Sequence, residues 1–260
     1  MQWVFDCDAI RCRFVPMIRF LLILLFAMPT FGFARAQSVE RVELELVLAL
    51  DTSTSVDSEE FELQRTGLAR AFRQKNIQSA IASLGPSGMA VAVVQWAGPG
   101  SQTLAVEWSK INSPNTANLF AAKLQTMPRA LSGFTDISGA LDFSTKQIFA
   151  NAFRGARLAI DVSGDGTSDQ HDPTAARDRA LALGIIVNGL VVFNEEYDLG
   201  ILASLDLTRH YENSVIGGPG HFLMTAESFD DFAVSIEKKL LREIIGPAFV
   251  HNRFGPTLRQ

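Results

Sequence analysis

Apolar runs of strand length alternate with amphipathic helical segments along most of this chain, and that alternation narrows the folds open to it. Residues 43–50 form an apolar β run. Residues 58–84 follow with Phe61, Leu68, Phe72 and Ile81 near helical spacing, closed by Gly85-Pro86. Residues 89–97 read as a buried strand, Gly98-Pro99-Gly100 as a turn and 103–108 as a second strand, which together make a hairpin at a sheet edge. Helices are predicted over 115–127 and 136–149, the latter with Ile137, Leu141 and Ile148 on one face. Residues 157–163 are a strand, 173–183 a helix capped by Gly184, 185–193 a continuous apolar strand and 222–225 a short last strand. Ser228 opens the final helix, with Asp231 at capping-box spacing and Phe229, Phe232, Ile236 and Leu240 as its docking stripe. Strands alternating with long helices predict a doubly wound α/β fold: a mostly parallel, Rossmann-like sheet with one antiparallel edge strand and helices on both faces.

Composition agrees with one well-cored domain. The 260 residues are 47% hydrophobic and 20% charged, outside the range of disorder. Lys and Arg number 23 against 28 Asp and Glu, with no basic stretch interleaved with aromatics, so nucleic acid is not an expected partner. Arg11, Arg13 and Arg19 precede an apolar run over 20–33 and then Ala34-Arg35-Ala36, which predicts a signal peptide over 1–36 cleaved before Gln37. Met17-Ile18-Arg19 offers an alternative start. The apolar run is shorter than the roughly 20 residues a spanning helix needs, and no lipobox cysteine follows it. A periplasmic or secreted protein without a permanent membrane anchor is expected, with a domain over 37–246 and a fraying tail over 247–260. Cleavage would remove Cys7 and Cys12 and leave 19 basic against 26 acidic residues. An acidic, cysteine-free domain must draw its stability from packing and metal rather than disulfides.

Parallel sheets bind ligands at the carboxyl ends of their strands, which directs attention to Asp51-Thr52-Ser53-Thr54-Ser55 and to Gly164-Asp165-Gly166. Two acids and several hydroxyls would converge there, with Thr135 arriving from the loop before a helix. This all-oxygen set suits Mg²⁺ or Mn²⁺, with Ca²⁺ also accommodated, and disfavours zinc or copper. Neutral hydroxyls leave the cation's charge incompletely compensated, so an open coordination position attracts a carboxylate from a partner.

Competing readings exist for each motif. Asp-x-Ser-x-Ser by itself more often caps a helix, and Thr135 and Asp136 could do the same. Asp161, Ser163, Asp165, Asp169 and Asp172 follow EF-hand spacing, although a β run precedes them. Ser163-Gly164-Asp165-Gly166-Thr167 is close to a phosphatase motif whose nucleophilic aspartate is replaced by Ser163. The chain contains no Gly-x-Ser-x-Gly elbow, Walker loop or His-Glu-x-x-His. His171, His210, His221 and His251 read as solvated residues of loops, tails or strand beginnings. Gly217-Gly218-Pro219-Gly220 reads as a tight turn.

Asp51 to Ser55 after a strand, Ser132-Gly133-Phe134-Thr135 before a helix and Ser163 to Gly166 after another strand resemble the metal-ion-dependent adhesion site (MIDAS) of von Willebrand factor A domains. Val94-Gln95-Trp96-Ala97-Gly98-Pro99-Gly100, Ile160-Asp161-Val162-Ser163-Gly164-Asp165-Gly166 and Val215-Ile216-Gly217-Gly218-Pro219-Gly220 resemble, more narrowly, a bacterial family of exported A-like domains without an assigned function. The resemblance implies a Mg²⁺ or Mn²⁺ held by Ser53, Ser55 and Thr135, with Asp51 and Asp165 ligating directly or through water. It also implies a sixth position for an acidic group, and a Thr135 whose distance varies with conformation. Asp161 stands where such domains carry an apolar residue, and is expected to bond backbone or a ligand hydroxyl from the second shell with Ser163 and Asp136. The expected function is metal-dependent recognition of a protein partner that offers a carboxylate, without catalysis; a metal-dependent hydrolase acting on phosphoesters is the alternative.

Overall fold

The first strand, β1 (Glu40–Asp51), is buried from Leu44 to its end, as a strand covered on both faces must be. Leu44, Leu46, Leu48 and Leu50 face one apolar layer while Val47 and Ala49 face the other, and burying each leucine contributes about 1.5–3 kcal/mol. The computed structural model describes residues 39–169, 171–193 and 201–246, with side chains from 206 onward in the last stretch. The expected signal peptide, its cleavage before Gln37, Cys7, Cys12, His251 and the tail lie outside the described residues. Among the described residues no helix is long and apolar enough to cross a membrane.

Six strands form one sheet in the order β3-β2-β1-β4-β5-β6. They are β1, β2 (Met89–Trp96), β3 (Gln102–Ile111), β4 (Phe153–Gly164), β5 (Ile185–Val192) and β6 (Leu223–Ala226). All neighbours are parallel except β2 and β3, so the doubly wound α/β architecture with an antiparallel edge is the one observed. Helices α1 (Ser58–Arg73), α2 (Lys75–Ser83), α3 (Pro114–Gln125) and α7 (Phe232–Ile245) cover one face. The other carries α4 (Ile137–Phe149), α5 (Thr174–Ala182) and α6 (Ile201–His210). Leu50 pairs with Ser163, which sets the ends of β1 and β4 level and brings the loops that follow them together.

Three elements depart from the sequence reading. The helix expected over 58–84 is broken at Gln74, whose extended ψ of 139° ends α1 and lets α2 turn so that Ile77, Ala80 and Ile81 reach the core; no Gly or Pro marks the break. The last helix begins at Phe232 rather than Ser228. Its N-cap is Asp231, which makes no side-chain cap bond, and a turn with Phe232 N–H donating to Phe229 O precedes it. The anticipated capping box does not form, although Phe229, Phe232, Ile236 and Leu240 are all buried. Finally, α6 and the π-helical turn Tyr211–Val215 after it were not anticipated; His210, read as a loop residue, ends α6 half-buried.

Candidate metal centre

After β1 the chain turns sharply to enter α1. The Asp51 Oδ1 accepts from the Ser53 N–H at 2.7 Å, which curls the loop over its own carboxylate. Ser53 and Ser55 hydroxyls lie 3.0 Å apart, and the Ser55 hydroxyl donates to Asp165 Oδ1 at 2.8 Å. Hydrogen bonds therefore link Asp51, Ser53, Ser55 and Asp165 into one cluster across the ends of β1 and β4. None of these residues caps α1: that role belongs to Asp57, which forms a full capping box with Glu60. The competing reading of Asp-x-Ser-x-Ser as a helix cap is thereby removed.

Thr135 comes from the loop before α4, and main-chain bonds tie this loop to its neighbours on every side. Thr54 donates to Gly133 O through both its N–H at 2.8 Å and its hydroxyl at 3.0 Å. Asp136 N–H donates to Ala97 O. Thr135 N–H donates to Asp169 Oδ2, and Asp169 N–H returns the bond to Thr135 O, both at 2.9 Å. Further back, Gln95 clamps Pro128 O and Ala130 N–H, while Arg129 donates to Thr52 O and Ser53 O. The Thr135 hydroxyl lies 3.8 Å from where a Gly166 side chain would begin, so the third loop borders the cluster.

The electrostatics of the cluster call for a cation. Asp51 is fully buried, and burial first and the neighbouring Asp165 second push its carboxyl well above the usual carboxylate range. Its Oδ2 is buried without a hydrogen-bond partner. An orphaned carboxylate oxygen beside a second acid is costly unless a positive charge joins them. Among the described residues no three His, Cys, Asp or Glu side chains converge to hold a metal; here two carboxylates are supplemented by hydroxyls, a donor set that fits a hard divalent ion.

A family model described as "Protein of unknown function (DUF1194)" matches residues 41–248. The chain belongs to that family. No curated protein matches its sequence. Among solved structures, proximal thread matrix protein 1 from the mussel byssus is similar with a TM-score of 0.57 at 15% identity, over 79% of this chain and 49% of that one. A second structure of that protein, with a zinc-occupied MIDAS motif, matches with a TM-score of 0.54 at 16% identity, over 78% and 48%. The pilus adhesin SpaC from Lactobacillus rhamnosus GG has a TM-score of 0.58 at 14% identity, over 78% and 31%. A von Willebrand factor type A protein from Catenulispora acidiphila has a TM-score of 0.51 at 13% identity, over 78% and 43%. This member of the DUF1194 family thus has a von Willebrand factor A-like fold, and it spans half or less of the length of these structural neighbours.

The three residues expected in the second shell of this DUF1194 domain lie in different surroundings. Ser163 turns its hydroxyl to Ala49 O at 3.5 Å, a bond to the main chain of β1. Asp136 is buried with Oδ1 3.5 Å from the His171 ring. Asp161 bonds neither backbone nor a ligand hydroxyl: it pairs with the fully buried Lys239 of α7. The reason is geometric, since α7 crosses the sheet face onto which Asp161 projects. Held in a strand by that pair, Asp161 cannot be the first ligand of an EF-hand loop. One residue beside the cluster escaped the sequence reading altogether. Tyr211 is fully buried, and a Cβ added at Gly164 would lie 2.7 Å from its hydroxyl and 2.8 Å from Asp51 Oδ2; no local motif announces an aromatic that arrives from 160 positions downstream of its neighbour.

Proposed function

We propose that this domain is an exported recognition module that captures an acidic group of a protein partner through a divalent cation, Mg²⁺ or Mn²⁺. Ser53, Ser55 and Thr135 would supply neutral oxygens, and Asp51 and Asp165 would supply the negative charge. The observation that carries this reading is the buried, unpartnered Oδ2 of Asp51 beside Asp165, with Ser55 bridging toward the second acid. Bound there, the cation acts as a Lewis acid for an incoming carboxylate. The chain's own part is to hold the donors. Hydrogen bonds among the three loops hold the backbone segments that carry the hydroxyls, so less ordering is left to oppose binding. The zinc-occupied MIDAS of the mussel protein supports a divalent ion at such a motif and makes Zn²⁺ the competitor to test.

Calorimetric titration of Mg²⁺, Mn²⁺ and Zn²⁺ into the wild type, Asp51→Ala and Asp165→Ala tests the site. Binding in the wild type and its loss in both variants is expected; no binding, or binding indifferent to the substitutions, overturns the reading. Partner capture that persists in chelator would count against a metal bridge.

A further inference from the structure

Helix α6 runs straight into the π-helical turn Tyr211–Val215, closed by the Ile216 N–H donating to Tyr211 O at 3.0 Å. Such turns are rare and concentrate at functional sites, because the extra residue re-aims a side chain. Here the turn sends the Tyr211 ring to the carboxyl ends of β4 and β5. Two glycines make the slot: a Cβ at Gly189 would lie 3.1 Å from Tyr211 Cδ1, and one at Gly164 would lie 2.7 Å from the hydroxyl.

The hydroxyl therefore ends in the immediate neighbourhood of Asp51 Oδ2, which lies 2.8 Å from the same Gly164 position. Both residues are fully buried, and neither of these oxygens has a hydrogen-bond partner. If the slot existed only for packing, phenylalanine would fill it without stranding a polar atom. Toward a carboxylate a phenol hydroxyl can only donate.

We propose that Tyr211 is a positioning residue of the cation site, its hydroxyl donating to Asp51 Oδ2 in the loaded protein while the Ser53 N–H holds Oδ1. The inference rests on the reading of Asp51 as part of a cation site. It joins two stranded groups in one bond and fixes the plane of the Asp51 carboxylate. Partners of this kind, one step removed from a metal, commonly change its affinity by about 10–100-fold.

The test is calorimetric titration of Mn²⁺ into the full chain, wild type and Tyr211→Phe, paired with thermal melts of both in chelator. The expected result is Mn²⁺ binding weakened about tenfold in the variant, with a melting temperature in chelator equal to or above that of the wild type. Equal Mn²⁺ affinity overturns the inference and leaves the cation reading standing. Weakened affinity accompanied by a lower melting temperature in chelator also overturns it, because Tyr211 is then a packing residue. Failure of the wild type to bind Mn²⁺ overturns the cation reading, and this inference with it.

Discussion

Strand β4 carries one buried acid, Asp161, and leads at its end into a second, half-buried one, Asp165, and their surroundings differ in one respect. Asp161 faces α7, where Lys239 pairs with it and Glu243 stands 3.8 Å from the same ammonium. Asn188 donates to Glu243 Oε1 at 2.7 Å, completing the polar contacts of the group. At the strand's end, Asp165 shares its neighbourhood with Asp51, whose charge is eased by hydrogen bonds from Ser53 and the Asp165 main chain and, among the described residues, by no side-chain cation. Asp161 is closed off from water, while Asp165 is only half-buried at the edge of the same sheet. The difference is the source of the positive charge: the chain builds it into α7, and on the proposed reading leaves it to an exchangeable ion at the carboxyl edge. A built-in lysine makes a permanent joint between helix and sheet, whereas a borrowed ion makes a joint that a partner can share.

The comparison breaks most visibly if the built-in cation is removed. Lys239→Met should lower stability by about 3–5 kcal/mol, because two buried acids lose their counter-charge; a melt should show a fall on the order of 10 °C. An unchanged melting temperature would mean that the α7 joint does not depend on the lysine.

Next in size is a pH effect. Burial, and after it Asp161, pushes the Glu243 carboxyl up, while Lys239 pulls it down, leaving it at about 7 against a usual 4.5. The folded protein then binds more protons than the unfolded chain between these values, so stability from this group is complete below about pH 4.5 and is lost as pH rises through about 7. The loss is on the order of 3 kcal/mol. Urea unfolding across this window should lose that slope in Glu243→Gln, which keeps an acceptor for Asn188.

On the proposed reading, the other site takes its cation from solution. Mn²⁺ at about 100 times its Kd should stabilise the wild type by about 2.7 kcal/mol, and melts should show no such gain in Asp165→Ala. The smallest effect is the control: Arg179 and Asp142 form an exposed pair at 2.7 Å, and Arg179→Ala should change unfolding free energy by less than about 1 kcal/mol. A larger loss would mean that exposed pairs matter here as much as buried ones.

The contrast also explains what was legible in the sequence. Asp51, Ser53, Ser55 and Asp165 could be read because each lies in a short motif that ends an apolar strand, and strand ends converge in a parallel sheet. The antiparallel edge could be read because the Gly98-Pro99-Gly100 turn is local. Asp161 stood out as an acid in an apolar strand, yet its partner could not be named. Lys239 falls one position before Leu240, and a lysine bordering an apolar stripe ordinarily reaches water; only the packing of α7 across β4 shows that it does not. Tyr211 was hidden for the same reason, since its place depends on a π turn and on two glycines of other strands. The break at Gln74 carries no Gly or Pro signal, and the start of α7 was misplaced because Ser228 and Asp231 have capping spacing without capping geometry.

The cross-bracing of the loops, from Thr54 to Gly133, Thr135 to Asp169 and Asp136 to Ala97, bears on the speed of loading. A cradle assembled in advance has no folding step to wait for, so an arriving ion is delayed mainly by the loss of its own hydration shell. Mg²⁺ gives up water reluctantly. On the proposed reading it should therefore enter this site more slowly than Mn²⁺, and stopped-flow mixing would record a rate set by the ion rather than by the protein.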